Sequence, residues 1–419
     1  MSRLPIFSLA WRSIANRRGT ALLTILTVAI AMTLFLGVEK VRHGARASFE
    51  NTISGTDLIV GARSSPVNLL LYAIFHIGDA TNNITWETYQ QVANAPGVAW
   101  TVPISLGDSH AGFRVVGTDN RYFEHYRYAG QSQLEFASGR PLEDMFETVI
   151  GASAARELGY SLGEEIVVAH GTGSVSFVEH DSNPFTVVGI LEPTGTPVDR
   201  SVFVSLEAIE AIHLEGPTGG GTSLSEDELR AMDLSPDQIT AFLVGLDSPV
   251  AALRLQRQIN TYRVEPLQAI IPGVALSQLW SVVGVAERTL AAVAAFVVLM
   301  GLICILTAIL TSLNERRREM AILRALGARP RHIFVLLVSE SALLALAGAI
   351  IGTGLTYGLL NLGAPVLEQR YGVHLSDTLP GLYDLALIGI VTGASALLGF
   401  IPAWAAFRNS LADGMTIRT

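Results

Sequence analysis

Two long apolar runs joined by an arginine-rich bend leave this chain few ways to fold. Residues 289–313 and 333–360 each exceed the ~20 residues that a helix needs to cross a hydrocarbon core ~30 Å thick. The bend between them, residues 314–332, carries Arg316, Arg317, Arg318, Arg324, Arg329 and Arg331 against Glu315 and Glu319. Arginine at that density between two spans is expected on the cytoplasmic side of a membrane. The remaining topology must agree with that placement.

Two further apolar runs complete the pattern. Gly19–Val38 carries no charge and follows a basic, amphipathic segment, residues 1–18, with Arg3, Arg12, Arg17 and Arg18. That segment reads as an interfacial helix on the cytoplasmic face, with Trp11 at headgroup level. The competing reading is the basic start of a signal peptide, with Ala45-Arg46-Ala47 as its cleavage site. The apolar core is longer than the ~7–15 residues usual for a cleavable signal, and Glu39, Lys40 and Arg42 intervene. An uncleaved span at 19–41 is therefore expected. The last apolar run, 382–405, leads to a basic tail, 406–419, with Arg408 and Arg418.

Four spans (19–41, 286–313, 333–361 and 382–405) put both termini inside. They satisfy every basic cluster except Lys40, Arg42 and Arg46, which follow the first span. A short loop, 362–381, then lies outside. The chain is 16% charged, against roughly 25% for an average soluble protein, as a membrane protein should be. Its net charge of −9 argues against a nucleic-acid partner, since the basic residues cluster beside the apolar runs. The single cysteine, Cys304, lies in an apolar run, so neither an intrachain disulfide nor a cysteine-based metal site is available.

Residues 42–285 form a large extracytoplasmic insert. Short strands are expected at 58–60, 98–106, 112–117, 147–150, 164–169, 185–191, 202–204, 239–246 and 262–265. Helices are expected at 86–94, 152–158, 206–213 and 249–260, and a mobile loop at 215–237. These intermixed elements define an α+β domain. The apolar stretch 68–77 is too short to span. It is either the core helix of the domain or a helix lying at the outer membrane surface.

The bend Glu315-Arg316-Arg317-Arg318-Glu319 with Met320, Ile322, Leu323, Arg324, Leu326 and Gly327 resembles the cytoplasmic loop of MacB/FtsX-like (type VII) ABC transporter permeases. The glycine-rich third span, the closing Pro402-Ala403-Trp404 with Arg408, and the opening Leu9-Ala10-Trp11-Arg12 with Asn16-Arg17-Arg18 resemble the same family. The order of one span, a large ectodomain and three spans is similar along the whole chain. The resemblance implies a homodimeric permease driven by a separate LolD/MacB-type ATPase, with ATP and magnesium bound by that partner. It also implies that the ectodomain acts as a lever. A periplasmic adaptor or lipoprotein would be a further partner.

A phosphate loop is not legible in this sequence. The nearest approach, Gly216 to Ser223, lacks the lysine that would reach the β- and γ-phosphates. In the bend, Met320, Ile322, Leu323 and Leu326 can form an apolar stripe beside Arg318, Glu319 and Arg324, ended by Gly327. That pattern suits a coupling helix pushed by another protein, or arginines that only fix topology and bind anionic lipid. Gly348 with Gly352, and Gly354 with Gly358, form two small-residue faces suited to close helix contact, within one chain or across a dimer. Glu340, early in the third span, should face the helix bundle or the cytoplasmic interface. Histidines 110, 125, 170 and 180 lack tight ligand spacing, and no nucleophile–base arrangement is legible.

The expected function is thus a non-catalytic transport subunit in a bacterial inner membrane. It would couple a partner's ATP hydrolysis to motion of the ectodomain on a lipoprotein, lipid-like or peptide client. The alternative is a membrane-anchored sensory or scaffold module without an ATPase.

Overall fold

The computed structural model describes residues 18–170, 184–214, 226–315, 322, 328–371 and 380–404. Two compact units emerge: a globular one, Ala45–Gly284 with Val366–His374, and a helical one from the remainder.

The globular unit is built on an eleven-stranded mixed sheet. Its main path runs Leu267–Ile270, Leu58–Ala62, Ala241–Leu246, Val98–His110, Phe113–Thr118, Ser201–Ser205, Glu147–Ile150, Phe185–Leu191, Phe136–Gly139. Most pairs are antiparallel. Ser201–Ser205 runs parallel to Phe113–Thr118, and Phe185–Leu191 runs parallel to Glu147–Ile150. All five residues of Leu58–Ala62 are buried, because both faces of this inner strand are covered. Phe185–Leu191 instead alternates buried and half-buried positions, as a strand with one better-covered face does.

The 58–77 stretch resolves as domain core. Leu69, Leu70, Tyr72, Ala73, Ile74 and Phe75 of the helix Pro66–Phe75 are buried. Ser65 caps its start by accepting from the Asn68 amide, and Pro66 sits in the first turn, where a missing N–H costs nothing. The helix lies hard against Gly61: a Cβ there would come 2.7 Å from Leu69 Cδ1 and 2.6 Å from the Tyr72 hydroxyl. A side chain at this position would push Leu69 and Tyr72 aside.

Several local expectations shift. Tyr262–Glu265 is irregular and bent, and the edge strand forms at Leu267–Ile270, where Leu267, Ala269 and Ile270 are buried. The expected strand at 239–246 divides into Gln238–Ile239 and Ala241–Leu246, which join different sheets. Within the expected loop 215–237, Glu226–Arg230 is helical and Leu229 is fully buried; residues 215–225 lie outside the described set.

Among the described residues, four helices are long and apolar enough to cross a membrane. They are α1 (Arg18–Asn51), α2 (Pro272–Glu315), α3 (Pro330–Tyr371) and α4 (Leu382–Leu398, with helical residues on to Trp404). The segment 1–18 lies outside the described residues apart from Arg18, the first residue of α1. The expected spans are the apolar parts of longer helices: α1 continues past residue 41 to Asn51, and α2 begins at Pro272. In the globular unit, Phe49 near the end of α1 stacks on Phe75 at 4.5 Å and meets Trp280 of α2 edge-on at 5.7 Å. Both helices thereby end in the core that holds Pro66–Phe75. In the helical unit Val28, Met32 and Leu36 of α1 are enclosed by Ile305 and Ile309 of α2, Leu337, Ala345 and Ala349 of α3, and Val391 of α4.

Candidate functional site

The glycines of α3 divide by environment. A Cβ on Gly348 would meet Val28 Cβ at 2.6 Å, and one on Gly352 would meet the Ala29 carbonyl oxygen at 2.5 Å. The backbones of α1 and α3 therefore approach as closely as glycine allows. The Thr33 hydroxyl strengthens this contact, lying 2.8 Å from its own helix's Ala29 carbonyl and 3.0 Å from the Gly352 carbonyl. Gly354 and Gly358 differ: added Cβ atoms there would meet nothing within 4 Å. One face thus packs within the chain and the other is open.

Farther along the same helices lies a polar cluster that the sequence reading did not single out. Asp384, in the first turn of α4, is wholly buried. Its Oδ2 accepts from the Tyr357 hydroxyl of α3 at 2.6 Å and from the Gly381 amide at 2.7 Å. Lys40 Nζ of α1 lies 3.5 Å from the same oxygen. Three helices meet at one carboxylate oxygen, beside the N-terminus of α4, where the helix dipole favours negative charge. Next to it, Arg42 bonds Glu39 at 2.6 Å and lies 3.8 Å from Glu287 of α2. The sequence signal was an aspartate two residues into an apolar run, together with a lysine beyond the first span.

These contacts involve the one basic cluster that the expected topology does not satisfy. Lys40 faces Asp384, Arg42 faces Glu39 and Glu287, and Arg46 bonds Glu50 at 2.8 Å. Each cation beyond the first span has a carboxylate within reach, so the segment carries little unbalanced positive charge.

Of the expected coupling residues, Glu315 closes α2 and Ile322 is helical and exposed. Arg316, Arg317, Arg318, Glu319, Leu323, Arg324, Leu326 and Gly327 lie outside the described residues. Glu340 is buried, as is its neighbour Ser341, whose carbonyl accepts from Ser395 of α4 at 3.0 Å. Of the histidines singled out in the sequence, His110 and His125 have structural partners, and His180 lies outside the described residues. His110 lies 2.6 Å from the Val167 carbonyl and 2.9 Å from the Tyr160 hydroxyl, and His125 stacks on Trp100. His76, at 2.9 Å from Ser201, is held neutral by burial, aided by Arg114, with a pKa of about 4. The Ser201 hydroxyl also lies 2.9 Å from the Pro197 carbonyl, to which it donates, tying the pair into the fold.

One membrane helix, a mixed-sheet domain and three membrane helices, tied by glycine contacts and a buried ion pair, define a multi-pass membrane protein with a large inserted domain. Residues 21–262 match the MacB-like periplasmic core domain, and residues 291–412 match the FtsX-like permease C-terminal domain. The chain belongs to the MacB/FtsX-like family of ABC transporter permeases. Similar proteins include a probable export ATP-binding/permease protein MacB of Pseudomonas entomophila, 23% identical over 413 residues, 96% of this chain and 57% of the relative. A pyoverdine export ATP-binding/permease protein of Pseudomonas syringae pv. tomato is 25% identical over 97% of this chain and 58% of the relative. An uncharacterized ABC transporter permease of Methanocaldococcus jannaschii is 25% identical over 85% of this chain and 83% of the relative. The chain thus spans under two thirds of the first two relatives. Among solved structures, the periplasmic region of MacB from Actinobacillus actinomycetemcomitans is similar, with 13% identity, a TM-score of 0.34, and coverage of 54% of this chain and 94% of that one.

Proposed function

We propose that this permease is the membrane subunit of a homodimeric machine driven by a LolD/MacB-type ATPase on a partner chain, which binds the ATP and magnesium. The sequence 314–332 is the handle: Glu315–Glu319, Ile322, Leu323, Arg324, Leu326 and Gly327 dock on the ATPase. Nucleotide binding closes the two copies at this bend. The four spans lie in a bacterial inner membrane with both termini cytoplasmic, and the globular unit lies in the periplasm.

The observation that carries this reading is the continuity of α1 and α2. Each is a single unbroken helix whose ends are built into the core of the globular unit through Phe49, Trp280 and Phe75. A stiff helix passes a tilt along its length, whereas a flexible linker would absorb it. Work done at the bend therefore reaches the sheet domain as motion, which acts on a lipoprotein, lipid-like or peptide client. A periplasmic adaptor or lipoprotein is a further partner in the same reading.

The test is reconstitution with the ATPase that co-purifies in mild detergent. Glu319→Arg with Arg324→Glu should abolish both complex formation and the stimulation of ATP turnover. Absence of any co-purifying nucleotide-binding protein, or full stimulation by the double variant, overturns the coupling and leaves a membrane-anchored sensory or scaffold module.

A further inference from the structure

The helical unit carries a groove between α3 and α4 that the permease reading does not use. Its volume is about 440 Å3, and Phe334, Val338, Ala342 and Leu346 of α3 face Thr392 and Phe400 of α4 across it. The exposed lining is wholly apolar. Ser339, at its edge, turns its hydroxyl back to the Leu336 carbonyl at 2.9 Å. Phe334 and Phe400 meet edge to face at 5.0 Å at one end.

Two features distinguish this groove from an ordinary lipid-facing surface. Along α3 it extends from residue 334 to residue 346, about 18 Å at the helical rise, close to the ~15 Å depth of one leaflet. Its Phe334 end lies one turn from Arg331 and two residues further from Arg329, both exposed, and from the start of α3 at Pro330. Arg329 and Arg331, exposed at this end of α3, supply positive charge for an anion. A hydrocarbon slot one leaflet deep, with cationic groups at its headgroup end, complements one molecule: an anionic phospholipid.

We infer that this groove holds the acyl chain of an anionic phospholipid, with its phosphate at Arg329 and Arg331. The lipid spans the seam between α3 and α4 and fills space that side chains leave empty. Phe334 and Val338 of the groove's lining also pack against the core where α1 meets α3.

Native mass spectrometry of the full chain tests this, after exchange into detergent with equal phosphatidylglycerol and phosphatidylcholine of the same acyl chains. The expected result is one retained phosphatidylglycerol, preferred roughly tenfold. Arg329→Gln with Arg331→Gln should erase the preference while leaving the melting temperature of the lipid-free chain unchanged. Ala342→Trp should remove retention of both lipids. Equal retention of the two lipids by the wild type overturns the proposal. So does retention unchanged by Ala342→Trp in a variant that still melts cooperatively. Loss of a dimer peak in that variant, with no lipid bound to the wild type, would assign the groove to a second copy and equally overturn it.

Discussion

Lys40 and Asp384 stand 344 residues apart in sequence and 3.5 Å apart in space, joining the end of the first span to the start of the fourth. Asp384 is fully enclosed, and its Oδ1 has no hydrogen-bond partner among the described residues. Removing Lys40 would leave a buried carboxylate with Tyr357 and Gly381 alone. Breaking such a pair costs about 3 kcal/mol. Lys40→Met should therefore destabilise the chain by about that amount, and Lys40→Met with Asp384→Leu by clearly less than the two single changes summed. Thermal unfolding of the four members of this cycle in detergent measures the coupling. Simple additivity would show that the pair does not tie the helices.

The glycine faces of α3 should separate under substitution. Gly348→Leu and Gly352→Leu must push against Val28 and the Ala29 backbone, an overpacking that costs about 1–3 kcal/mol. Gly354→Ala and Gly358→Ala meet open space and should leave the melting temperature unchanged or raise it slightly, since alanine favours the helix. Crosslinking of the same variants reads self-association. A loss of dimer confined to Gly354→Ala and Gly358→Ala would place the second copy on the open face. Equal destabilisation by all four variants contradicts the division.

In the globular unit, the Glu147 carboxylate receives Arg140 in two bonds of 2.6 and 2.8 Å, plus the amides of Glu143 and Asp144. The Arg140 bond chiefly holds its pKa near 2, below the ordinary 4.5. The unfolded chain takes up this proton first as pH falls, so the contribution is complete above pH 4.5 and disappears on the way to pH 2. Glu147→Gln should lower stability at neutral pH and flatten the melting-temperature profile across that window. An unchanged slope would contradict the assignment.

His76 acts in a different window. Burial lowers its pKa from 6.5 to about 4, so the folded chain refuses a proton that the unfolded chain accepts. Stability should fall as pH drops from 6.5 to 4 and then stop falling on this account. Asparagine tolerates the left-handed backbone at this position, φ 54°, so His76→Asn isolates the titration. The variant should lack the decline between pH 6.5 and 4, and persistence of that decline assigns it to another group.

What was legible in the sequence follows from the range of the forces involved. The four apolar runs are local signals, and each lies in a helix; the short strands at 147–150 and 185–191 are bounded by turn residues and form there. The partners of Leu58–Ala62 come from residues 241–246 and 267–270, a pairing that no local pattern specifies. The same holds for Asp384, whose role depends on Lys40 and Tyr357 from two other helices. Gly348 and Gly352 announced a close contact, but only the fold says that its other side is α1. Tyr262–Glu265 has strand-like residues, yet the burial that makes a strand falls on Leu267, Ala269 and Ile270.

The side of the membrane that holds the 314–332 bend decides the account. With Cys304 replaced by serine and a single cysteine placed at Arg317, a membrane-impermeant maleimide should label inverted inner-membrane vesicles and leave intact spheroplasts unlabelled. Labelling of the spheroplasts would put the bend outside the cell, beyond the reach of any ATPase, and would contradict the proposed machine.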